Sequence, residues 1–321
     1  MKRKIIIVAG DPNSINTEII SKTWKKINDS LKRKIYLIGD FNLICNQFEI
    51  INNSIPVIKV KNIDEEPKSK KLKIIHIPCN FKDPFRVSFS SSRNYLIKSL
   101  DLAHRLAQKK TVLGLINCPL NKNLLSKSRK IGVTEYLASK CKIINDSEVM
   151  LIYNKRFSVL PITTHIHLKN VPKKIIKRLI IKKLITLKKN YRKFVKKAPK
   201  IGILGLNPHN AEFDRNSEEK KVIIPAISKL KQIGFKIQGP LPADTTFISN
   251  YKNYDVLVGM YHDQVLTPFK SIFNFDAINI TLGLKYLRVS PDHGPAIDLI
   301  KKKKANYLSL YRCIQFINNT N

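Results

Sequence analysis

With 321 residues, 43% of them hydrophobic, the chain can bury a substantial core in one large or two modest domains, which excludes a disordered protein. No apolar run approaches the ~20 residues of a membrane span, so a membrane protein is not expected. The formal charge of +36, from 59 Lys and Arg against 23 Asp and Glu, admits a polyanion-binding protein. The lysines are nevertheless dispersed, without an arginine-rich tail or regular interleaving with aromatics. Lysine, isoleucine and asparagine are abundant together, as an AT-rich genome produces. Nucleic acid is therefore not expected, and the positive field is read as an attraction for small anions.

The first predicted strand is KIIIVAG (4–10). Its basic head and apolar stretch imitate a secretion signal, but the apolar run is short and Asp11 and Pro12 stand where cleavage would occur. A cytoplasmic protein is expected. Further short apolar runs predict buried parallel strands at KIYLIG (34–39), TVLGLIN (111–117), FSVLPITT (157–164), KIGILGL (200–206) and YDVLVGM (254–260). Helical patterns alternate with them. One covers 92–110. The clearest covers 173–197, where Ile175, Ile176, Leu179, Ile180, Leu184, Leu187, Tyr191 and Phe194 keep the 3.6-residue period between Pro172 and Pro199. The stretch 62–73, NIDEEPKSKKLK, reads as an exposed loop. Alternating strands and helices imply an α/β fold with mainly parallel sheets. The five cysteines are widely spaced and form no C-x-x-C, so neither a disulfide framework nor a zinc–thiolate knuckle is indicated.

Three predicted strands end in a histidine. FSVLPITTH stops at His165, KIGILGLNPH at His209 and YDVLVGMYH at His262. Ligands of open α/β sheets bind outside the carboxyl ends of the strands, so residues distant in sequence would meet at one edge. Neutral imidazoles suit zinc and other divalent first-row ions, and a catalytic metal uses three protein ligands plus an open position. His167 and His293 lie close enough in the sequence to replace a member of the trio. Downstream, Lys270, Asn279 and Arg288 provide two cations and an amide, suited to a phosphate or carboxylate. Asp244 and Asp263 are carboxylates fit to support or ligate a metal. No G-x-G-x-x-G follows the first strand, so the Rossmann fingerprint is missing, and no Walker lysine, serine elbow or H-E-x-x-H is present.

Taken in order, GDPNSINTEII, TTHIHLKNVP, GLNPHNAE, GPLPADTTF, MYHDQVLTPFK and NITLGLKYLRVSPDHGPA resemble the motifs of the 4-hydroxythreonine-4-phosphate dehydrogenase family of pyridoxal phosphate biosynthesis. The similarity runs from residue 5 to about 300. It implies a two-domain α/β/α fold of the isocitrate and isopropylmalate dehydrogenase type, with a discontinuous first domain (1–128 with 296–321). The second domain (129–295) would carry the metal ligands and a homodimer interface. It also implies NAD or NADP, bound without the Rossmann fingerprint, and one divalent ion per subunit (zinc, magnesium or cobalt). The implied reaction is oxidation of the C3 hydroxyl of 4-phosphooxy-L-threonine, followed by decarboxylation to 3-amino-2-oxopropyl phosphate.

By motif, His165, His209 and His262 would be the metal ligands and, with Lys270, the catalytic set. Thr134, Lys270, Asn279 and Arg288 would bind substrate. The chain departs from the family pattern at Val133, where a histidine is usual, and at Pro295. Asn13, Ser14 and Asn16 replace glycines after GDP, and NAEFD replaces a glycine-rich turn after NPH. A related dehydrogenase acting on a phosphothreonate-type substrate is the rival within the enzyme class, and a polyanion-binding protein is the rival outside it.

Overall fold

The computed structural model describes residues 3–67, 69–125, 132–143, 148–248 and 250–320. Its strands are β1 (Lys4–Val8), β2 (Ile35–Gly39), β3 (Val57–Val60), β4 (Leu72–His76), β5 (Val112–Asn117) and β6 (Val149–Tyr153). They continue with β7 (Ser158–Pro161), β8 (Ile201–Leu204), β9 (Ile237–Leu241), β10 (Val256–Gly259), β11 (Ile278–Leu282) and β12 (Arg288–Pro291). The main helices are α1 (Asn16–Lys26), α2 (Asp29–Lys34), α3 (Phe41–Ile50), α4 (Phe89–Ala107) and α5 (Val133–Lys140). They are followed by α6 (Lys177–Val195), α7 (Ile224–Gln232), α8 (His262–Phe273) and α9 (Leu308–Asn319). No helix among the described residues is long and apolar enough to cross a membrane.

The chain divides into two units, residues 1–142 with 284–321, and residues 143–283. The boundary expected at 128/129 falls outside the described residues, and residues 132–142 and 284–295, expected in the second domain, cluster with the first unit.

In the first unit the strand order is β3-β4-β2-β1-β5-β12, and every pairing is parallel. Each residue of β1 and β2 is buried, as expected of isoleucine-rich strands covered on both faces. Alternation divides their side chains between two layers. Ile6, Val8, Tyr36 and Ile38 pack with Leu96, Leu100, Ala103 and Leu106 of α4. Ile7, Ile35 and Leu37 face a small space shared with Ile20, Trp24, Leu310 and Ile314 of α1 and α9. Side chains close the helix starts: Asn28 accepts from Leu31 N, Asp40 from Leu43 N and Ser88 from Ser91 N. The five cysteines all belong to this unit and are free, and Cys79, Cys118, Cys141 and Cys313 are buried. Burial pushes the Cys79 thiol up to about 12, and raises Cys118 and Cys313 further.

At the amino-terminal end of this sheet, Tyr36 lies between two buried lysines. Lys4 Nζ is 5.6 Å and Lys73 Nζ 4.7 Å from its ring centroid. Lys73 also donates to the carbonyls of Arg33 (2.9 Å) and Lys32 (3.2 Å), at the carboxyl end of α2. Burial is the main reason its pKa falls to about 8. The unfolded chain therefore binds more protons than the folded one between about pH 8 and 10.5, and this lysine adds stability as pH rises through that window. In urea titrations across the same window, the wild type should gain stability relative to Lys73→Met. A wild-type-minus-variant difference that stays flat would contradict the assignment.

In the second unit the order is β11-β6-β7-β10-β8-β9. Strands β7, β10, β8 and β9 are parallel, while β6 runs antiparallel to both β7 and β11. Val265, Leu266 and Phe269 of α8 pack against Phe157, Val159 and Leu257. The helix expected over 173–197 is interrupted. A short turn covers Val171–Lys174, Ile175 and Ile176 take extended backbone, and α6 begins at Lys177. The break seats Ile175 in the core at 2% exposure and leaves Ile176 exposed. The apolar stripe survives in Ile180, Leu184, Leu187 and Tyr191, all buried.

Candidate active site

The second unit places three histidine-bearing strand ends side by side. Strands β7, β10 and β8 are consecutive neighbours and parallel, so the segments reaching His165, His262 and His209 leave the same edge of the sheet. The rings of His165 and His262 lie 5.9 Å apart between centroids, tilted by 40°. His262 opens α8, and its Nδ1 is 2.7 Å from Asp263 Oδ1. A carboxylate at Nδ1 holds the tautomer that leaves Nε2 able to bind a metal. Two imidazoles, one of them oriented in this way, fit a divalent ion. Among the described residues, no three His, Cys, Asp or Glu side chains of one chain approach closely enough to hold a metal. His209 therefore does not complete the pair within a single chain.

His209 begins an unusual segment. From His209 to Phe213 every residue has positive φ, between 46° and 57°, and none is glycine. The left-handed region costs L-residues roughly 1–2 kcal/mol each, so the surroundings must hold this run in place. Glu219, fully buried, accepts from Leu206 N (2.7 Å), Asn207 N (2.8 Å) and Asn207 Nδ2 (2.9 Å) just ahead of it. Burial raises the Glu219 pKa, and these bonds more than offset it, so the carboxyl lies below its ordinary value. The proposed alternates are placed elsewhere: His167 is exposed, and His293 belongs to the first unit with Nδ1 on the Gly294 carbonyl at 2.9 Å. Asp244 is exposed.

Lys270 is exposed on α8, eight residues beyond His262 and so roughly 12 Å along the axis. Asn279 lies on β11, with a side-chain oxygen sealed from solvent and lacking a hydrogen-bond donor among the described residues. A ligand N–H or O–H would satisfy it.

The first unit holds the remaining predicted residues. Arg288 opens β12 at 2% exposure, donating from Nε to Asn117 Oδ1 (2.7 Å) and from Nη1 to Thr134 Oγ1 (3.3 Å). Burial lowers its pKa to about 10, so the guanidinium keeps its charge at neutral pH. Val133, where the family pattern has histidine, is buried in the cluster of Leu124, Leu125 and Leu137. The polar residues that replace glycines after GDP are tied into the loop. Asn13 exchanges two bonds with Val87 (2.8 and 2.9 Å), Ser14 Oγ donates to the Asp11 carbonyl (2.5 Å), and Asn16 Nδ2 donates to the Pro119 carbonyl (2.7 Å).

Sequence reasoning missed Asn117, Glu219 and Gln264. Asn117 closes a predicted strand and Gln264 stands beside His262, but the role of each depends on which strands are neighbours.

The chain matches pyridoxal phosphate biosynthetic protein PdxA over residues 29–317. It is 34% identical over 322 residues to a 4-hydroxythreonine-4-phosphate dehydrogenase of Aquifex aeolicus (strain VF5), covering 99% of this chain and 98% of that one. A protein of the same name from Sulfurihydrogenibium sp. (strain YO3AOP1) is 35% identical over 323 residues, covering 97% and 96%. The crystal structure of 4-hydroxythreonine-4-phosphate dehydrogenase from Klebsiella pneumoniae superimposes with a TM-score of 0.84 at 26% identity, covering 99% of each chain. A terephthalate 1,2-cis-dihydrodiol dehydrogenase from Burkholderia xenovorans LB400 shares the fold, with a TM-score of 0.64 at 19% identity, over 99% of this chain and 98% of that one. These relatives are dehydrogenases, which makes the chain an oxidoreductase by descent. It belongs to the PdxA family of pyridoxal phosphate biosynthetic proteins.

Proposed function

We propose that the chain oxidises the C3 hydroxyl of 4-phosphooxy-L-threonine with NAD or NADP, and that the resulting β-keto acid loses its carboxyl group to give 3-amino-2-oxopropyl phosphate. The observation that carries this reading is the His165–His262 pair, oriented by Asp263, at neighbouring strand ends of a PdxA-family chain. His165 and His262 of one protomer and His209 of its partner would hold a divalent ion at the interface of a homodimer. When bound, such an ion would supply Lewis-acid polarisation of the substrate's oxygens, and the nicotinamide would supply a hydride acceptor.

The chain's own residues bind and orient. Arg288, fixed by Asn117 and Thr134, offers a buried guanidinium to an anionic group of the substrate. Lys270 offers a second positive charge from α8. Asn279 offers an acceptor to a substrate donor, such as the ammonium group. In the oxidation the C3–H bond breaks with its electron pair going to NAD(P)⁺, and the hydroxyl proton leaves. In the decarboxylation the C1–C2 bond breaks, carbon dioxide leaves, the electron pair moves into the C3 keto group as an enolate, and a proton adds at C2 to give the product.

Val133 supports a second reading, oxidation of a phosphothreonate, because an apolar core residue stands where the family pattern has a histidine. Following reduced cofactor at 340 nm with each substrate, a divalent ion and either nicotinamide separates the two. Turnover of 4-phosphooxy-L-threonine is expected. Absence of reduced cofactor from both substrates would overturn the dehydrogenase reading. Salt-sensitive binding to duplex DNA without such turnover would favour the polyanion reading.

A further inference from the structure

We propose that Gln264 is a positioning residue for the metal-holding imidazoles, its carboxamide joining the loop that carries His209 to the turn that carries His262. The inference rests on the reading above, that these histidines hold a divalent ion.

Gln264 follows His262 by two residues in the first turn of α8 and is half-buried. Its Oε1 accepts from Met260 N at 2.7 Å, and its Nε2 donates to the Gly205 carbonyl at 2.6 Å. One amide thus spans the ends of β10 and β8. The third strand end joins the same point, because the Met260 carbonyl accepts from Thr163 Oγ1 (2.7 Å) and Thr163 N (3.1 Å), two residues before His165. All three histidine-bearing segments are therefore tied two to four residues from their imidazoles.

The backbone is built to admit this side chain. A Cβ on Gly259 would lie 2.9 Å from Gln264 Oε1 and 2.5 Å from Val265 Cγ1. The joint also requires one donor and one acceptor on the same short group, which among side chains of this length glutamine alone supplies. Glutamate would turn an oxygen toward the Gly205 carbonyl, and methionine would leave both backbone groups unmet.

The His209 loop needs an anchor because the five left-handed residues after Pro208 oppose their own conformation. Glu219 holds Leu206 and Asn207, and Gln264 holds Gly205. Of the two anchors, only Gln264 reaches the His262 segment. Its loss should leave the second unit folded and let the His262 turn and the His209 loop, which would serve the two metal sites of the dimer, each shift from the position its ion requires.

The test uses Co²⁺, followed by calorimetry and by its visible d–d absorption, with the full-length chain, Gln264→Met, Gln264→Glu and His262→Ala. Both Gln264 variants are expected to bind Co²⁺ about 10–100-fold more weakly than wild type and with an altered spectrum, the range seen when outer partners of metal ligands are removed. Circular dichroism should be unchanged. Gln264→Glu keeps the acceptor for Met260 N and reads the joint alone should Gln264→Met fail to fold. Folded variants that lose less than about tenfold and keep the wild-type spectrum overturn the inference. If the wild type binds no Co²⁺, or His262→Ala binds it equally well, the metal reading falls and this inference falls with it. Binding lost in His262→Ala but preserved in both Gln264 variants overturns the positioning role alone.

Discussion

His209→Ala should abolish divalent-ion binding and lower turnover by more than about 100-fold, beyond the ~10–100-fold that follows loss of an outer partner. The fold should survive, because His209 is exposed and packs in no core cluster. Alanine inherits the same positive φ, so the backbone cost changes little. Elemental analysis of protein purified without an affinity tag, alongside the dehydrogenase assay, checks both halves. Because His209 does not meet His165 and His262 within one chain, the prediction extends to mixtures. In the proposed shared-site homodimer, His209→Ala and His262→Ala chains, each inactive, should regain about a quarter of wild-type activity when co-refolded, since half the dimers would be mixed and each mixed dimer would have one complete site. Full activity in His209→Ala would remove the metal assignment, and a mixture that stays inactive would remove the shared-site arrangement.

The second large effect is expected at Arg288. Its guanidinium is held in one orientation by Asn117 and Thr134 inside the first unit, and in the proposed reaction it would present its charge to an anionic group of the substrate. Arg288→Met should lower kcat/KM by about 2–5 kcal/mol, or roughly 30- to 5,000-fold, with much of the loss in KM. Arg288→Lys should recover only part of it. A lysine keeps the charge but cannot present the forked donors that reach Asn117 and Thr134 together. Arg288→Met should also lower stability, because it leaves buried Asn117 Oδ1 without its donor and Glu135 without the neighbouring positive charge, so KM is read on variants shown to be folded. A KM unchanged in both variants would show that Arg288 does not touch substrate.

Much of the fold could be read before the coordinates. The six apolar runs named as strands are β1, β2, β5, β7, β8 and β10, because parallel strands covered on both faces need unbroken isoleucine, leucine and valine. Three of the six strands not named break that pattern for identifiable reasons. Val57–Val60 is a half-exposed edge carrying Lys59. Leu72–His76 hides behind Lys73, a lysine buried by its contacts with Tyr36 and the α2 carbonyls. Ile237–Leu241 contains Gly239 and Pro240, which read as a turn. The 173–197 helix was overextended because periodicity cannot sense that Ile175 is needed in the core at an extended angle.

The site was legible to the same depth. Strand ends carrying His165 and His262 could be expected to meet, since the carboxyl edge of a parallel sheet gathers them. The carboxamide of Gln264 and the carboxylate of Glu219 could not be placed, because their partners are backbone groups of strands whose adjacency no local pattern encodes. The polar substitutions after GDP looked like losses of glycine freedom. In the fold Asn13 and Ser14 are tied into a closed loop, and Asn16 joins it through Nδ2 while its buried Oδ1 finds no donor among the described residues.

The distribution of sulfur gives each half of the molecule a different chemical visibility. Every cysteine lies in the first unit, four are sealed inside it, and burial holds Cys79, Cys118 and Cys313 in the protonated, unreactive form. An alkylating reagent therefore reaches half-buried Cys45 first and the others only as that unit opens, so the slow phase of labelling is a clock for its opening. The unit that carries His165, His209 and His262 has no thiol and leaves that clock untouched.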